Sequence, residues 1–236
     1  MANGITKHIP NGITSLNLFC GCIAIIQALQ GNILVASILI IAAAVFDFFD
    51  GMSARALKAY SPIGKELDSL ADCVSFGVAP GMIVYFLLKQ ATAVAAICPF
   101  MTSYFPYLAF IIPIYSALRL AKFNIDERQT TSFIGLPTPA NALFWLSFAY
   151  SAQAYAYEGN PIFIGITSVL ILLTSYLLIA EIPMFSLKVK SLAFKGNEVR
   201  YILIISAIVL IALFQFMGIS ATILLYVLLS IFNKKK

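Results

Sequence analysis

Four aspartates in one short stretch are the residues of this sequence best suited to chemistry. Asp47, Asp50, Asp68 and Asp72 follow one another at spacings of 3, 18 and 4 residues, in or beside strongly apolar segments. A carboxylate costs roughly 2.5–3.5 kcal/mol at the centre of a membrane helix on insertion scales, so four uncompensated ones would cost about 10 kcal/mol. Oxygen ligands of this kind suit Mg²⁺ or Mn²⁺. We therefore expect divalent metal to neutralise them.

The spacing places the aspartates in two pairs. Residues three or four apart lie on the same face of a helix, so Asp47 shares a face with Asp50, and Asp68 with Asp72. At about 1.5 Å of rise per residue, both pairs lie about 9–16 Å from the turn that joins the two helices. The sequence therefore predicts that the four carboxylates face one another across an antiparallel hairpin.

The residues around the aspartates are small or basic. Gly51, Ala54 and Gly64 leave space for a bulky group near the backbone, and Arg55 is close enough in sequence to hold a phosphate. Carboxylates, metal, small residues and an arginine together suit diphosphate chemistry. Two other interpretations remain open. The aspartates could form buried ion pairs with Arg55 and Lys58, or they could serve an ion or proton transporter.

The composition indicates a membrane protein. Of 236 residues, 61% are hydrophobic and 11% charged, and the mean hydropathy is +0.95. We predict one integral-membrane domain over residues 1–236 and no soluble domain. The first apolar run lacks a small-residue cleavage site and is interrupted by Asn17, so we interpret it as a retained helix. The net charge of +5 lies in short connections, which does not indicate a nucleic-acid partner.

Apolar runs long enough to cross a bilayer recur along the whole chain. We predict an all-α polytopic bundle of about eight transmembrane helices. Their predicted limits are 12–30, 33–58, 63–88, 95–122, 138–157, 160–183, 199–216 and 219–232. The last two could form one bent element, and a six-helix count that merges two pairs is the main alternative.

The basic residues predict the orientation in the membrane. With eight spans, one side carries nearly all of them: Lys7, the connections 55–65, 119–128 and 188–200, and Lys234–Lys236. Lys89 falls on the other side. By the positive-inside rule, we expect both termini to be cytoplasmic, in a multi-pass protein of the cytoplasmic (inner) membrane whose site opens to the cytoplasm.

Cysteine and histidine chemistry is not favoured. Cys20, Cys22, Cys73 and Cys98 lie in apolar surroundings without a C-x-x-C pair, which is typical of small buried hydrophobic residues. His8 is the sole histidine and lies at the N-terminal edge. A Ser-His-Asp or Cys-His mechanism would need a histidine in the site.

The aspartate region resembles the signature of the CDP-alcohol phosphotransferase family. Eight residues match it at fixed offsets: Asp47, Asp50, Gly51, Ala54, Arg55, Gly64, Asp68 and Asp72. The resemblance implies a core of six membrane helices that works as a homodimer, here followed by two C-terminal helices. Stretches 9–21, 66–80, 117–124 and 133–140 resemble the branch of the family that transfers a phosphatidyl group from CDP-diacylglycerol to L-serine.

The resemblance also implies roles for individual residues. Asp47, Asp50, Asp68 and Asp72 would hold two Mg²⁺ or Mn²⁺ ions, with Asp72 also acting as general base. Contacts with the CDP-lipid are implied for Asn11, Thr14, Gly51, Ala54, Arg55, Ser61 and Gly64.

Arg119, Lys122 and Asn124 form a second polar group, in which Arg119 or Asn124 could hold the carboxylate of serine. Positive-inside topology alone explains these residues equally well. Glycerol 3-phosphate or an inositol phosphate is the alternative acceptor, because Arg119 and Lys122 could bind a phosphate.

Overall fold

The computed structural model describes residues 8–91, 103–126, 133–154, 160–185 and 197–232. Within those ranges the chain forms eight helices and one pair of very short antiparallel strands. The helices are α1 (Ile9–Leu29), α2 (Ile33–Ala56), α3 (Pro62–Lys89), α4 (Phe105–Ile125), α5 (Thr138–Ala154), α6 (Pro161–Ile179), α7 (Glu198–Phe214) and α8 (Met217–Phe232). The strands are β1 (Phe133–Ile134) and β2 (Pro183–Met184).

Two of the helices change their winding along their length. In α3, the α-helical stretch Pro62–Asp72 continues through a π-helical turn, Cys73–Val78, into a second α-helical stretch, Ala79–Lys89. In α4, a 3₁₀ stretch over Phe105–Phe110 precedes the α-helical part. Single π turns inside α-helices are frequent at functional sites, and this one begins directly after Asp72.

Five helices are long and apolar enough to cross a membrane: α1, α2, α3, α4 and α6. The others, α5, α7 and α8, have 17, 17 and 16 residues, which is about one turn less than a typical span. The predicted all-α, multi-pass bundle is confirmed, with helix limits that mostly agree with the predicted ones to within a few residues.

The central core lies where α1, α2, α5 and the second half of α3 meet. Ala24 and Ala28 of α1 and Ala36 and Ala43 of α2 are fully buried, and such small side chains allow neighbouring membrane helices to approach closely. Trp145 of α5 is also buried, and its indole nitrogen donates a hydrogen bond of 3.1 Å to Thr174 on α6. These contacts belong to the buried core, which packs on the helices that carry the polar site.

The last two helices are separate elements. A turn at Gln215, where φ is 52°, divides α7 from α8. A side chain at Gly218 would collide with the backbone of Leu210, so only a glycine fits this close approach. The hydroxyls of Ser220 on α8 and Ser147 on α5 are 2.5 Å apart, which joins this hairpin to the core.

The structure departs from the predicted elements in two places. Helix four was predicted from residue 95, but α4 begins at Phe105, while residues 92–102 lie outside the described part. Helix six was predicted to reach residue 183, but α6 ends at Ile179 because Ala180 is extended, with ψ at 140°. The chain then enters β2, which pairs with β1 and was not predicted.

Candidate active site

The turn between α2 and α3 is built by local capping. Lys58 adopts a positive φ of 51°, and the Ala59 N–H donates to the carbonyl of Ala54 at 3.0 Å, which ends α2. Ser61 then caps α3, because its Oγ accepts a hydrogen bond from the Gly64 N–H at 3.0 Å. Ser61 is therefore the N-cap of α3, with proline at the first helical position.

Three of the four aspartates converge at this hairpin. Carboxylate oxygens of Asp47, Asp50 and Asp68 all lie within 4.8 Å of one another. Asp50 is only 5% exposed, and its Oδ2 has no hydrogen-bond partner among the described residues. The hairpin therefore concentrates negative charge around an oxygen that the rest of the described protein leaves unpaired.

Asp72 lies beside this group rather than within it. Its charge interacts with those of Asp47 and Asp68, and its Oδ1 accepts a hydrogen bond of 3.3 Å from Asn17 on α1. The structure thus gives Asp72 surroundings that differ from those of the other three carboxylates. Its assignments as a metal ligand and as the general base remain predictions.

The three converging carboxylates fit a hard divalent cation. Oxygen donors from two helices are the ligands that Mg²⁺ and Mn²⁺ prefer. Like charges this close repel strongly where water is scarce, and a cation would remove that repulsion. The group contains neither thiolate nor imidazole, the ligands typical of zinc.

A cavity of about 510 Å³ opens next to the aspartates, between α1 and the α2–α3 hairpin. Its lining includes Asp50 and Asp68 and six of the seven residues predicted to contact a CDP-lipid: Asn11, Thr14, Gly51, Ala54, Ser61 and Gly64. Arg55, the seventh, is not part of the lining, but its guanidinium would lie 3.6 Å from a Cβ placed on Gly51. The predicted donor-contact residues are therefore close together in space, while their roles remain predictions.

Sequence reasoning missed two polar residues of this cavity. Tyr60 and Lys65 both line it, and Tyr60 is 74% exposed. Lys65 donates a hydrogen bond of 3.0 Å to the backbone carbonyl of Asn124, which links α3 to the end of α4. An aromatic residue and a lysine flanking the Ser61–Gly64 turn are the signal that could have identified them.

The second polar group is divided between different contacts. Arg119 is only 8% exposed, donates from Nη1 to the hydroxyl of Thr138 at 3.0 Å, and interacts with the charge of Asp72. The side-chain amide of Asn124 donates to the hydroxyl of Ser69 at 2.9 Å. Arg119 therefore joins α4 to α5 through Thr138, and Asn124 joins α4 to α3. The predicted contact of either residue with the acceptor stays a prediction.

Comparison with known proteins agrees with this site. A model of the family described as CDP-alcohol phosphatidyltransferase matches residues 7–232. A Bacillus subtilis protein named CDP-diacylglycerol–serine O-phosphatidyltransferase is 39% identical over 75% of this chain and 89% of its own length. A Methanocaldococcus jannaschii protein of the same name is 34% identical over 74% of this chain and 72% of its own. A third with that name, from Helicobacter pylori strain J99, is 35% identical over 66% of this chain and 64% of its own.

With the aspartate hairpin and its cavity described, the match over almost the whole chain identifies the fold and the enzyme class together. The chain belongs to the CDP-alcohol phosphatidyltransferase family and is a membrane transferase.

Proposed function

We propose that this enzyme transfers the phosphatidyl group of CDP-diacylglycerol to the hydroxyl of L-serine and releases CMP. The observation that carries the proposal is the convergence of Asp47, Asp50 and Asp68 at the wall of the 510 Å³ cavity. The names of the relatives support the choice of substrates. A site with an anionic wall, a large cavity and an apolar surround suits a substrate that carries both a diphosphate and acyl chains.

Two divalent ions, Mg²⁺ or Mn²⁺, complete the proposed site. They would neutralise the diphosphate and act as Lewis acids while the bond to CMP breaks. Asp47, Asp50 and Asp68 would hold them, with Asp72 as a further ligand. The unpaired Oδ2 of the buried Asp50 supports this assignment, because an isolated buried carboxylate oxygen is costly without a cation.

The cavity residues would bind the donor. Asn11, Thr14 and Ser61 offer hydrogen-bonding groups to the nucleotide. Gly51 has no side chain, so the diphosphate could approach the backbone there. A Cβ on Gly51 would meet only Arg55, at 3.6 Å, so the space beside it is open to a ligand. Arg55 lies where its guanidinium could bind a phosphate oxygen.

The chain's own residues then carry the proton transfer. Asp72 would accept the proton of the serine hydroxyl while the serine oxygen forms a bond to the β-phosphorus. The bond from that phosphorus to the bridging oxygen breaks, and CMP leaves with the electron pair. Arg119 would hold the serine carboxylate, because it is a cation at the edge of the aspartate site, electrostatically close to Asp72.

An acceptor with a phosphate dianion fits this site less well than serine. Such an acceptor would need more than one cation, and Lys122, which the sequence offers beside Arg119, pairs with Glu181 at 3.2 Å. A transporter is also less well supported. Beyond Asp72 and Ser75, the buried side chains of α3 are apolar, among them Phe76, Ile83 and Val84, so this helix offers no polar path to the opposite side.

The proposed setting is the cytoplasmic membrane, with both termini and the cavity on the cytoplasmic side, in a homodimer. The distribution of lysine and arginine supports this orientation. The homodimer rests on the family resemblance.

Purified enzyme in detergent tests the function directly. CDP-diacylglycerol, Mn²⁺ and each alcohol in turn (L-serine, glycerol 3-phosphate, inositol phosphate) are supplied, and CMP release is measured. We expect release with serine alone, and none in excess chelator. Release with a different alcohol only would replace serine as the acceptor, and full activity in chelator would contradict the metal assignment.

Arg119→Ala tests the proposed acceptor contact. We expect the KM for serine to rise at least about tenfold, because a charge-assisted hydrogen bond contributes roughly 1.5–3 kcal/mol. The KM for CDP-diacylglycerol should not change. An unchanged KM for serine would exclude Arg119 from the acceptor site.

A further inference from the structure

Asn17 of α1 is a buried polar residue whose side-chain nitrogen has a hydrogen-bond partner, whereas its side-chain oxygen has none among the described residues. It is 0% exposed, and its Nδ2 donates to Oδ1 of Asp72 at 3.3 Å. Its Oδ1 has no hydrogen-bond partner within the described ranges. An unpaired amide oxygen in an apolar interior costs free energy, so such an atom indicates a bound group that donates hydrogen bonds.

The position of Asn17 is fixed by a close crossing of α1 and α3. The hydroxyl of Ser75 donates to the backbone carbonyl of Asn17 at 3.0 Å. One turn further along α1, a side chain at Gly21 would collide with Ser75, so glycine is needed for this approach. Ser75 lies in the π-helical turn that begins directly after Asp72. The same crossing therefore brings the side chains of Asn17 and Asp72 into contact.

This contact has a chemical consequence for the proposed base. A hydrogen bond on one oxygen of a carboxylate restricts its rotation, while the other oxygen keeps its lone pairs for a second partner. In Asp72 the oxygen held by Asn17 is Oδ1. The second oxygen is then the one available to the acceptor hydroxyl or to a metal ion. Partners that orient a functional carboxylate in this way commonly change activity about 10- to 100-fold when removed.

We propose that Asn17 is a positioning residue for the transfer reaction, which holds Asp72 through Nδ2 and offers Oδ1 to a donor group of the acceptor. For an amino-acid acceptor that donor is the ammonium group. The inference rests on the proposed function, because it assigns the acceptor to the Asp72 side of the site. It adds a third helix, α1, to the reaction centre formed by α2 and α3.

Steady-state kinetics of Asn17→Leu and Asn17→Gln test the proposal. Leucine keeps the branched shape of the side chain and loses both polar atoms, and we expect kcat/KM for serine to fall about 10- to 100-fold. The KM for CDP-diacylglycerol and the affinity for CDP with Mn²⁺ should stay within threefold. Glutamine restores the amide on a longer stem and should recover part of the lost activity, which a purely structural role does not predict.

Two further variants keep the test decisive. Ser15→Ala is the matched control on the same helix, because Ser15 is exposed and its hydroxyl donates to the Asn11 carbonyl of its own helix, and we expect no more than a twofold change. Should Asn17→Leu fail to fold, Ser75→Ala replaces it. Loss of the Ser75 hydrogen bond should loosen Asn17 and lower kcat/KM for serine in the same direction, by a smaller factor.

The outcomes separate this inference from the proposed function. If the wild-type enzyme uses serine and Asn17→Leu keeps the wild-type kinetics, the role of Asn17 is wrong and the acceptor stands. The role is also wrong if serine use and CDP affinity fall together. If the wild-type enzyme uses a different alcohol and Asn17→Leu selectively lowers that rate, the acceptor is wrong and the role of Asn17 stands.

Discussion

Two helical hairpins of this protein, α2–α3 and α7–α8, treat their buried polar groups in opposite ways. On α8, the hydroxyls of Ser220, Tyr226 and Ser230 all find partners inside the protein, at Ser147, Phe185 and the helix backbone. On α2–α3, three carboxylates converge, and the buried Asp50 keeps an unpaired oxygen. The buried hydroxyls of α8 are thus satisfied within the protein, whereas the carboxylates of α2–α3 lack, among the described residues, a partner that a bound cation could supply.

The difference shows how a membrane enzyme can separate stability from chemistry. Satisfied hydroxyls between helices contribute modest packing free energy, about 0.6 kcal/mol each on average. Clustered carboxylates act against folding until a cation binds. Changes in α2–α3 should therefore alter activity more than stability, and changes in α7–α8 should do the reverse.

The largest expected effect comes from Asp50→Asn. Loss of one charge from the converging group should lower CMP release by about 10³-fold, which corresponds to about 4 kcal/mol of transition-state stabilisation. In chelator, the variant should melt at the same temperature as the wild-type protein or higher, because one repulsive charge is gone. A variant that loses activity and melts much earlier would contradict the separation between the two hairpins.

Gly64→Val should have the next largest effect. A Cβ at this position would lie 2.9 Å from Oδ1 of Asn11 and 3.0 Å from Oγ of Ser61, both in the cavity wall. We expect the KM for CDP-diacylglycerol to rise about tenfold, since displaced polar contacts cost about 1–3 kcal/mol. Gly165→Ala on α6 is the control, because a Cβ there meets nothing within 4 Å. Equal effects of both changes would argue against a donor site here.

Ser220→Ala tests the other hairpin. Removal of its hydroxyl breaks the contact with Ser147 and the hydrogen bond to the Phe144 carbonyl. The free energy of unfolding in detergent should fall by about 0.6–2 kcal/mol, while kcat and both KM values stay unchanged. A loss of activity without a loss of stability would show that α8 takes part in the reaction.

The smallest expected effect is that of Lys122→Gln. Lys122 and Glu181 form an exposed ion pair at 3.2 Å, and such pairs contribute roughly 0–1 kcal/mol. The KM for serine should stay within twofold of the wild-type value. A rise of tenfold or more would indicate that Lys122 binds the acceptor, and would favour an acceptor that carries a phosphate.

The aspartate hairpin could be predicted because its determinants are local in sequence. The spacing of Asp47 and Asp50, the Ser61–Pro62 cap and the apolar runs all act within one helix or one turn. Helical periodicity then places the carboxylates at matching depth in neighbouring helices. The same reasoning gave most helix limits of the bundle to within a few residues, since those depend on apolar length and on capping residues.

Features that depend on contacts between distant segments could not be predicted. The contact of Asp72 with Asn17 joins residues that lie 55 apart in sequence. The pairing of β1 with β2 joins segments about 50 residues apart. Periodicity within one helix contains no information on either contact, and a π-helical turn has no simple sequence signal.

The π-helical turn at Cys73–Val78 divides α3 into two α-helical halves. A π turn accommodates one residue more than an α-helix would, so the stretch after it is rotated by about 100° relative to an uninterrupted helix. If the same sequence were wound as an α-helix throughout, Ile83 and Val84 would turn away from the core, or Asp68 and Asp72 would turn away from their partners. The extra residue in the π turn thus sets the orientation of the aspartates in the first half of α3 relative to the buried apolar residues in its second half.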